Sequence, residues 1–277
     1  SSLNNITITY ETSGGDEPPT PSVTLTPDVK DFGTVNVGET PSQEFTITTE
    51  NTTAELTASI DNTTDYAVSA ITGDKVTVTY QPQSAGTHSA VLTVKAGEEA
   101  TATVNLTGKA VQALEGTWIL VTDASSLKVG DEIIIAAKES DVALSTTQAG
   151  NNRPEVAITK NDNTITATSE TQVLTLQAGN KENTLALYTG DGYLYAASST
   201  NNYLRTETNL SDNSSWIISI ADGAATLTAQ GENTRNTIFY NQSSKLFACY
   251  ASTTTNQKAI TLYKKTNGQQ LAGLTYA

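Results

Sequence analysis

The sequence predicts an all-β chain of two domains, a sandwich of two sheets followed by a closed barrel with a threefold internal repeat. Three observations carry this reading. Apolar residues make up 37% of the 277 and fall in short runs of period two, the pattern of half-buried strands, while no stretch keeps a helical period. Between Val23 and Gly108 such runs follow one another, broken by proline, glycine and Asp-Asn turns, which is the spacing of a sandwich. Beyond Gly116, Val142, Leu194 and Leu246 recur every 52 residues, as do Ile134, Ala186 and Ile238. Two anchors that hold one period mark an internal repeat.

Taken in order, residues 1–12 contain one alternating strand, NNITITYE, read as the remnant of a preceding domain. Residues 13–22, SGGDEPPTPS, form a linker whose prolines 18, 19 and 21 favour a semi-rigid extended chain. Residues 23–110 carry seven or eight short strands: VTLT, TVNV, EFTIT, LTASI, YAVSAI, KVTVTY, AVLTV and TVNL. Residues 116–265 carry the repeat. In each unit a strand-like run stands ahead of the anchors (Trp118–Val121, Val173–Leu176, Trp216–Ile220), and another closes it (Val156 and Ile158, Leu204, Ile260 to Tyr263). The runs in front lie 16, 13 and 22 residues before the Ile134-type anchor, a difference that loop length is expected to absorb. Four strands taken three times predicts twelve. Each unit has one apolar face and no partner of its own, so the three must pack about a shared axis. This resembles the β-trefoil, a six-stranded barrel capped by three hairpins. Asn163–Thr168 reads as an additional strand in the first repeat, which leaves another closed or flattened barrel open. Residues 266–277 read as a linker and, in LAGLTYA, the start of a following domain; with no methionine even at position 1, the chain reads as a fragment or processed product.

Two stretches resemble known families. Phe32 to Gly38, Gln43 to Ile47, Thr77 to Pro82, Ser84 to His88 and Asn105 to Gly108 are together similar to the immunoglobulin-like sandwich of choice-of-anchor and Hydin-like domains in anchored bacterial surface proteins. The resemblance implies a spacer or presentation module without catalysis. Asp191 to Ser198, Thr234 to Asn236, Leu246 to Tyr250 and Leu262 to Lys265 resemble a repeat-bearing accessory module of multidomain secreted bacterial proteins, some of which carry nuclease or hydrolase domains. A ricin-type lectin trefoil would place Gln two residues before a tryptophan in each repeat, and neither Trp118 nor Trp216 has it.

Composition narrows the function. With 29 acidic against 15 basic residues and a net charge of −14, the surface repels phosphate, and the basic residues are scattered, so nucleic acid is not the expected partner. A Thr-rich, acidic β chain fits an extracellular or cell-surface setting. The single cysteine can form no intrachain disulfide. Catalysis by imidazole would rest on His88 alone, placed in an inter-strand turn and read as structural or solvated. Cys249 reads as a small buried position, inert because an apolar setting raises a thiol's pKa. Paired carboxylates are available, but no spacing selects a pair. Asn161-Asp162-Asn163 and Ser211-Asp212-Asn213 offer oxygen ligands for Ca²⁺, though Asx residues populate turns for local reasons. No metal site and no cofactor are predicted.

Superposing the repeats sorts the aromatics. Tyr195 with Phe247, and Tyr188 with Tyr240, read as core. Tyr193 aligns with Asp141 and Lys245, Tyr250 with Ser198 and Thr146, and Tyr203 follows Asn201-Asn202. Tyr193, Asn201, Asn202, Tyr203 and Tyr250 are therefore the expected ligand contacts, exposed rings beside amides that suit a sugar or a protein surface. The expected function is a non-catalytic structural or ligand-binding segment of a larger secreted or surface protein, its partners a glycan or extracellular protein and the flanking domains of the same polypeptide. The alternative is the accessory part of a secreted glycosidase or nuclease with unidentified carboxylates.

Overall fold

The computed structural model describes residues 18–266. The strand expected in 1–12, the linker's first half and the strand expected in LAGLTYA lie outside the described residues. The chain divides into two compact units, Ser1–Ala110 and Val111–Ala277, and both are built of strands, with only two single 3-10 turns of helical character among the described residues.

The first unit holds β1 (Ser22–Thr26), β2 (Val29–Asn36), β3 (Ser42–Glu50), β4 (Leu56–Ile60), β5 (Tyr66–Val68), β6 (Lys75–Tyr80), β7 (Gly86–Ala96) and β8 (Ala100–Val111). They form two four-stranded sheets, ordered β1-β3-β6-β5 and β2-β8-β7-β4. Alternation does the work. Along β6, Val76, Val78 and Tyr80 are buried, and along β7 Ala90, Leu92, Val94 and Ala96 are. Those rows meet Phe45, Tyr66, Val104 and Leu106 in one core, and full burial of each large side chain is worth about 1.5–3 kcal/mol. Pro82 stands just after β6, where a missing N–H ends the ladder. His88 lies in β7, not in the turn expected for it. Its Nδ1 shares a 2.8 Å hydrogen bond with the Tyr80 hydroxyl, and its carbonyl accepts from Tyr66 at 3.0 Å. Its Nε2 lies 3.8 Å from buried Asp65, so the imidazole is a packing element. Gly108 leaves room for this cluster: a Cβ there would fall 2.5 Å from the Tyr80 ring.

The second unit holds β9 (Thr117–Leu120), β10 (Glu132–Ala137), β11 (Val142–Leu144), β12 (Arg153–Ala157), β13 (Thr159–Asn161), β14 (Thr164–Thr166), β15 (Leu174–Ala178), β16 (Leu185–Tyr188), β17 (Tyr193–Ala196), β18 (Leu204–Glu207), β19 (Ser215–Ala221), β20 (Ala224–Ala229), β21 (Thr237–Asn241), β22 (Leu246–Tyr250) and β23 (Ile260–Thr266). Antiparallel pairings run β10 to β15, β15 to β16, β16 to β19, β19 to β20, β20 to β23 and β23 back to β10, closing a ring. Three hairpins interrupt the ring in sequence: β11–β12, β17–β18 and β21–β22. Inside lies one core of Ile133, Ile135, Leu174, Leu176, Leu187, Leu194, Trp216, Leu227, Phe247, Ile260 and Leu262, among others.

Twelve strands were expected here and fifteen are present among the described residues. The expected extra run at Asn163–Thr168 is β14, which pairs with β13 and β9. Trp118 on β9, Ile165 on β14 and Ile158, between β12 and β13, join a second cluster over Ile134, Ala136, Ala143 and Tyr263, so β10 is apolar from Ile133 to Ala137 because both of its faces are covered. Two strands were not expected, β13 and β20. The long third spacing is not loop but a β19–β20 hairpin, turned by Asp222 and Gly223, both at positive φ (51° and 73°) between paired Ala221 and Ala224. Asp-Gly favours this tight turn, so the signal was present in the sequence.

Candidate functional site

β16, β17 and β18 show how alternation builds an outward face. Leu194 and Ala196 are fully buried in the core, so Tyr193 and Tyr195 must point the other way. Tyr193 pairs across with Tyr188 on β16 and with Glu207 on β18, while Tyr195 pairs with Arg205. Tyr188, Tyr193 and Tyr195 are each half-buried, and Arg205 is exposed. The result is a strip of three tyrosines edged by a cation.

Contacts within the strip hold it in shape. The Tyr188 and Tyr193 rings lie 5.3 Å apart at 53°, the tilted arrangement aromatic pairs prefer. Tyr193 donates its hydroxyl to Gln177 Oε1 at 3.0 Å, and Tyr188 donates to the Gly190 carbonyl at 2.5 Å. Glu207 Oε1 accepts from Ser211 and Ser214 hydroxyls at 2.6 Å each, which ties that carboxylate to the 3-10 turn at Asp212–Ser214. The Arg205 guanidinium has neither hydrogen bond nor ion pair among the described residues. Such a face offers flat apolar rings with hydroxyl tips, and one planar fork of donors able to grip a carboxylate or a pair of hydroxyls.

The five expected contact residues divide. Tyr193 belongs to the strip. Tyr203 is half-buried and extends the β18 ladder, its carbonyl accepting from Ala197 N–H at 3.2 Å. Asn201 is exposed in the preceding turn, where its N–H and that of Thr200 both donate to Ser198 Oγ. Asn202 is half-buried and its Oδ1 points inward without a partner. Tyr250 is a correction: it is 7% exposed. Its hydroxyl accepts from Asn241 Nδ2 at 2.8 Å and its ring meets Phe239 edge-on, centroids 6.1 Å apart, so it is not a surface anchor. The reverse correction applies to Tyr188 and Tyr195, expected in the core and found half-exposed.

One cause underlies the second correction. Units one and two keep a common face register, Val142 and Leu144 answering Leu194 and Ala196 against the same core, but in unit three the core residues are Phe247 and Cys249. The pairings give the reason: β11, β17 and β21 are the strands that pair back onto β10, β16 and β20, so the 52-residue offset lays β22 in place of β21 beside β11 and β17. Tyr240 on β21 and Phe247 on β22 therefore hold other strand positions than Tyr188 on β16 and Tyr195 on β17, and they face the core where those two do not.

The remaining chemistry-bearing groups are absorbed by structure. Cys249 is fully buried, which pushes its thiol pKa up. Asp162 turns the β13–β14 hairpin at φ 51°. Asp212 is held by Asn180 Nδ2 at 2.7 Å and Lys181 Nζ at 3.2 Å, and these bonds lower its pKa. Among the described residues no three His, Cys, Asp or Glu side chains converge as metal ligands. No helix among them is long and apolar enough to cross a membrane.

No family profile matches the chain, and no curated protein matches it. Solved structures similar in part include a lectin of Polyporus squamosus bound to a Neu5Ac-Gal-GlcNAc epitope, at 12% identity over 50% of each chain with a TM-score of 0.37. The present chain thus spans about half the length of that lectin. Others are a PapD-like domain of human CEP192 (16% identity, 39% of this chain and 99% of that one, TM-score 0.28) and an endo-β-galactosidase of Clostridium perfringens (10%, 80% and 48%, 0.36).

Proposed function

We propose that the chain is a non-catalytic ligand-binding segment of a larger secreted or cell-surface protein, its first unit an immunoglobulin-like spacer and its second a β-trefoil-like module that contacts a glycan. Support for the trefoil reading is the closed ring of antiparallel pairings with a hairpin after β10, β16 and β20. The observation that carries the binding reading is the strip of Tyr188, Tyr193 and Tyr195 on one outward face beside the unpaired Arg205. Sugar rings have apolar faces and hydroxyl rims, and this strip answers both with phenol rings and a guanidinium fork.

The test is a glycan panel screened with the 277-residue chain, followed by titration of any hit against Tyr195→Ala and Arg205→Ala. Loss of one stacked ring or of the fork should weaken binding roughly tenfold, about 1.4 kcal/mol. Wild-type affinity in both variants would remove the strip from the reading. Incubation with polysaccharides and nucleic acids, with and without Ca²⁺, should give no sustained turnover; turnover would favour the hydrolase alternative.

A further inference from the structure

A second feature lies away from the tyrosine strip, at the third hairpin. The turn between β21 and β22 and the chain leading into β23 enclose an open groove of about 400 Å³ lined by Asn241, Gln242, Ser243, Asn256, Gln257 and Lys258. Five of the six side chains are amides or hydroxyls, the sixth is an ammonium, and none is a carboxylate. In a chain of net charge −14, a groove without a single acid is a local reversal of sign.

The walls are fixed while the recognition groups are left open. Asn241 Oδ1 accepts from Ser243 Oγ at 2.8 Å and Ser244 N–H at 2.9 Å, and its Nδ2 donates to Tyr250 at 2.8 Å. That holds one wall. Across the groove, Tyr240 and Lys258 exchange backbone hydrogen bonds of 3.1 and 2.9 Å, pinning the other wall to β21. By contrast the side chains of Gln242, Asn256, Gln257 and Lys258 make no hydrogen bond or ion pair among the described residues. Lys245, exposed on the same turn, is likewise unpaired.

We infer that this groove is a second ligand site and that it takes an acidic saccharide, with hydroxyls held by the amides and a carboxylate or sulfate by Lys258. Amides each offer a donor and an acceptor at the spacing of vicinal hydroxyls. With no aromatic in the lining, recognition rests on hydrogen bonds and charge, which favours a ligand rich in both over a neutral stacking one. A nucleic acid would meet the acidic surface around this short groove, so a compact sugar acid is the better fit.

The experiment titrates the 277-residue chain with oligogalacturonate, oligomannuronate and chondroitin sulfate fragments, and with neutral galacto-oligosaccharide, at low and at physiological salt. At least one acidic oligomer should bind, more weakly as salt rises, and the neutral one should not bind at this groove. Lys258→Gln should weaken the acidic oligomer roughly tenfold or more, and Asn256→Ala should weaken it less. Both positions are exposed, so the fold is retained. Tyr195→Ala should leave this binding unchanged, which separates the groove from the strip. Failure of all three acidic oligomers to bind, or wild-type affinity in Lys258→Gln, overturns the proposal.

Discussion

Arg153 is 4% exposed and makes no ion pair within salt-bridge distance among the described residues. Its Nη1 donates to the carbonyls of Ser145 and Thr146 at 3.2 and 3.0 Å and to Gln172 Oε1 at 2.7 Å, while Nη2 donates to Thr206 Oγ1 at 2.7 Å. Burial pushes its pKa down. Ser145 and Thr146 lie in Arg153's own β11–β12 hairpin, Gln172 just before β15 and Thr206 on β18, while the Arg153 backbone pairs with Phe247 on β22, so this residue fastens the place where the three hairpins meet. Arg153→Met keeps length and removes all four bonds. Each buried acceptor left alone costs about 1 kcal/mol or more, and relief of guanidinium desolvation returns part of that, so the expected net loss is about 2–4 kcal/mol. Both tryptophans, Trp118 and Trp216, are buried in the second unit, and the first unit has none. Tryptophan fluorescence in urea therefore reports this unit alone. At a slope of about 2 kcal/mol per molar the midpoint should fall by roughly 1–2 M. Thr206→Val combined with Arg153→Met should show a coupling of about 1 kcal/mol. A midpoint within about 0.2 M of wild type, or zero coupling, would refute the clamp.

Three further outcomes follow from other residues. Gly108→Ala forces a methyl against the Tyr80 ring and should destabilise the first unit by about 1–3 kcal/mol, seen as an earlier loss of tyrosine signal in urea with the tryptophan transition unmoved. Cys249 should resist Ellman's reagent in the folded chain and react at once in denaturant; reaction before unfolding would contradict its burial. Burial and the hydrogen bond to Glu155 push the Tyr240 phenol up to about 12. A phenol raised in the folded state contributes stability that is present below pH 10 and is lost as pH climbs toward 12, so Tyr240→Phe should flatten the fall in stability across that window.

How much of this was legible in the sequence depends on which physical signal each element leaves. The sandwich strands were legible because their period-two rows face one core, and Val76, Val78 and Tyr80 on β6 obey the rule without exception. The 52-residue offset located the hairpins because chain length between them is a local property. Faces were not legible from that offset. β20, not β21, is the third unit's counterpart of β10 and β16, so the offset matches Tyr188 with Tyr240 across strands of different role, and the two meet different environments. Arg205 left no sequence signal at all: an arginine's freedom from partners is decided by what folds beside it, and the carboxylate two residues on, Glu207, is engaged by serines contributed by the following turn.

The three repeats share an interior and differ outside, and the reason is packing. All three contribute to one core, so the inward positions of the hairpins are confined to side chains such as Leu144, Leu194 and Phe247. Outward positions answer only to what covers them. In the first repeat β9 and the β13–β14 hairpin lie over that face, and its residues shrink to Ala136 and Ala143 beneath Trp118 and Ile165. Over the second repeat nothing among the described residues plays that part, and three tyrosines and an unpaired arginine stand there. On the third, amides and lysines surround the turn. The surplus strands therefore bear on the surface as well as on the fold: they cover the outward side of the first hairpin and leave the outward sides of the second and third uncovered by any described strand.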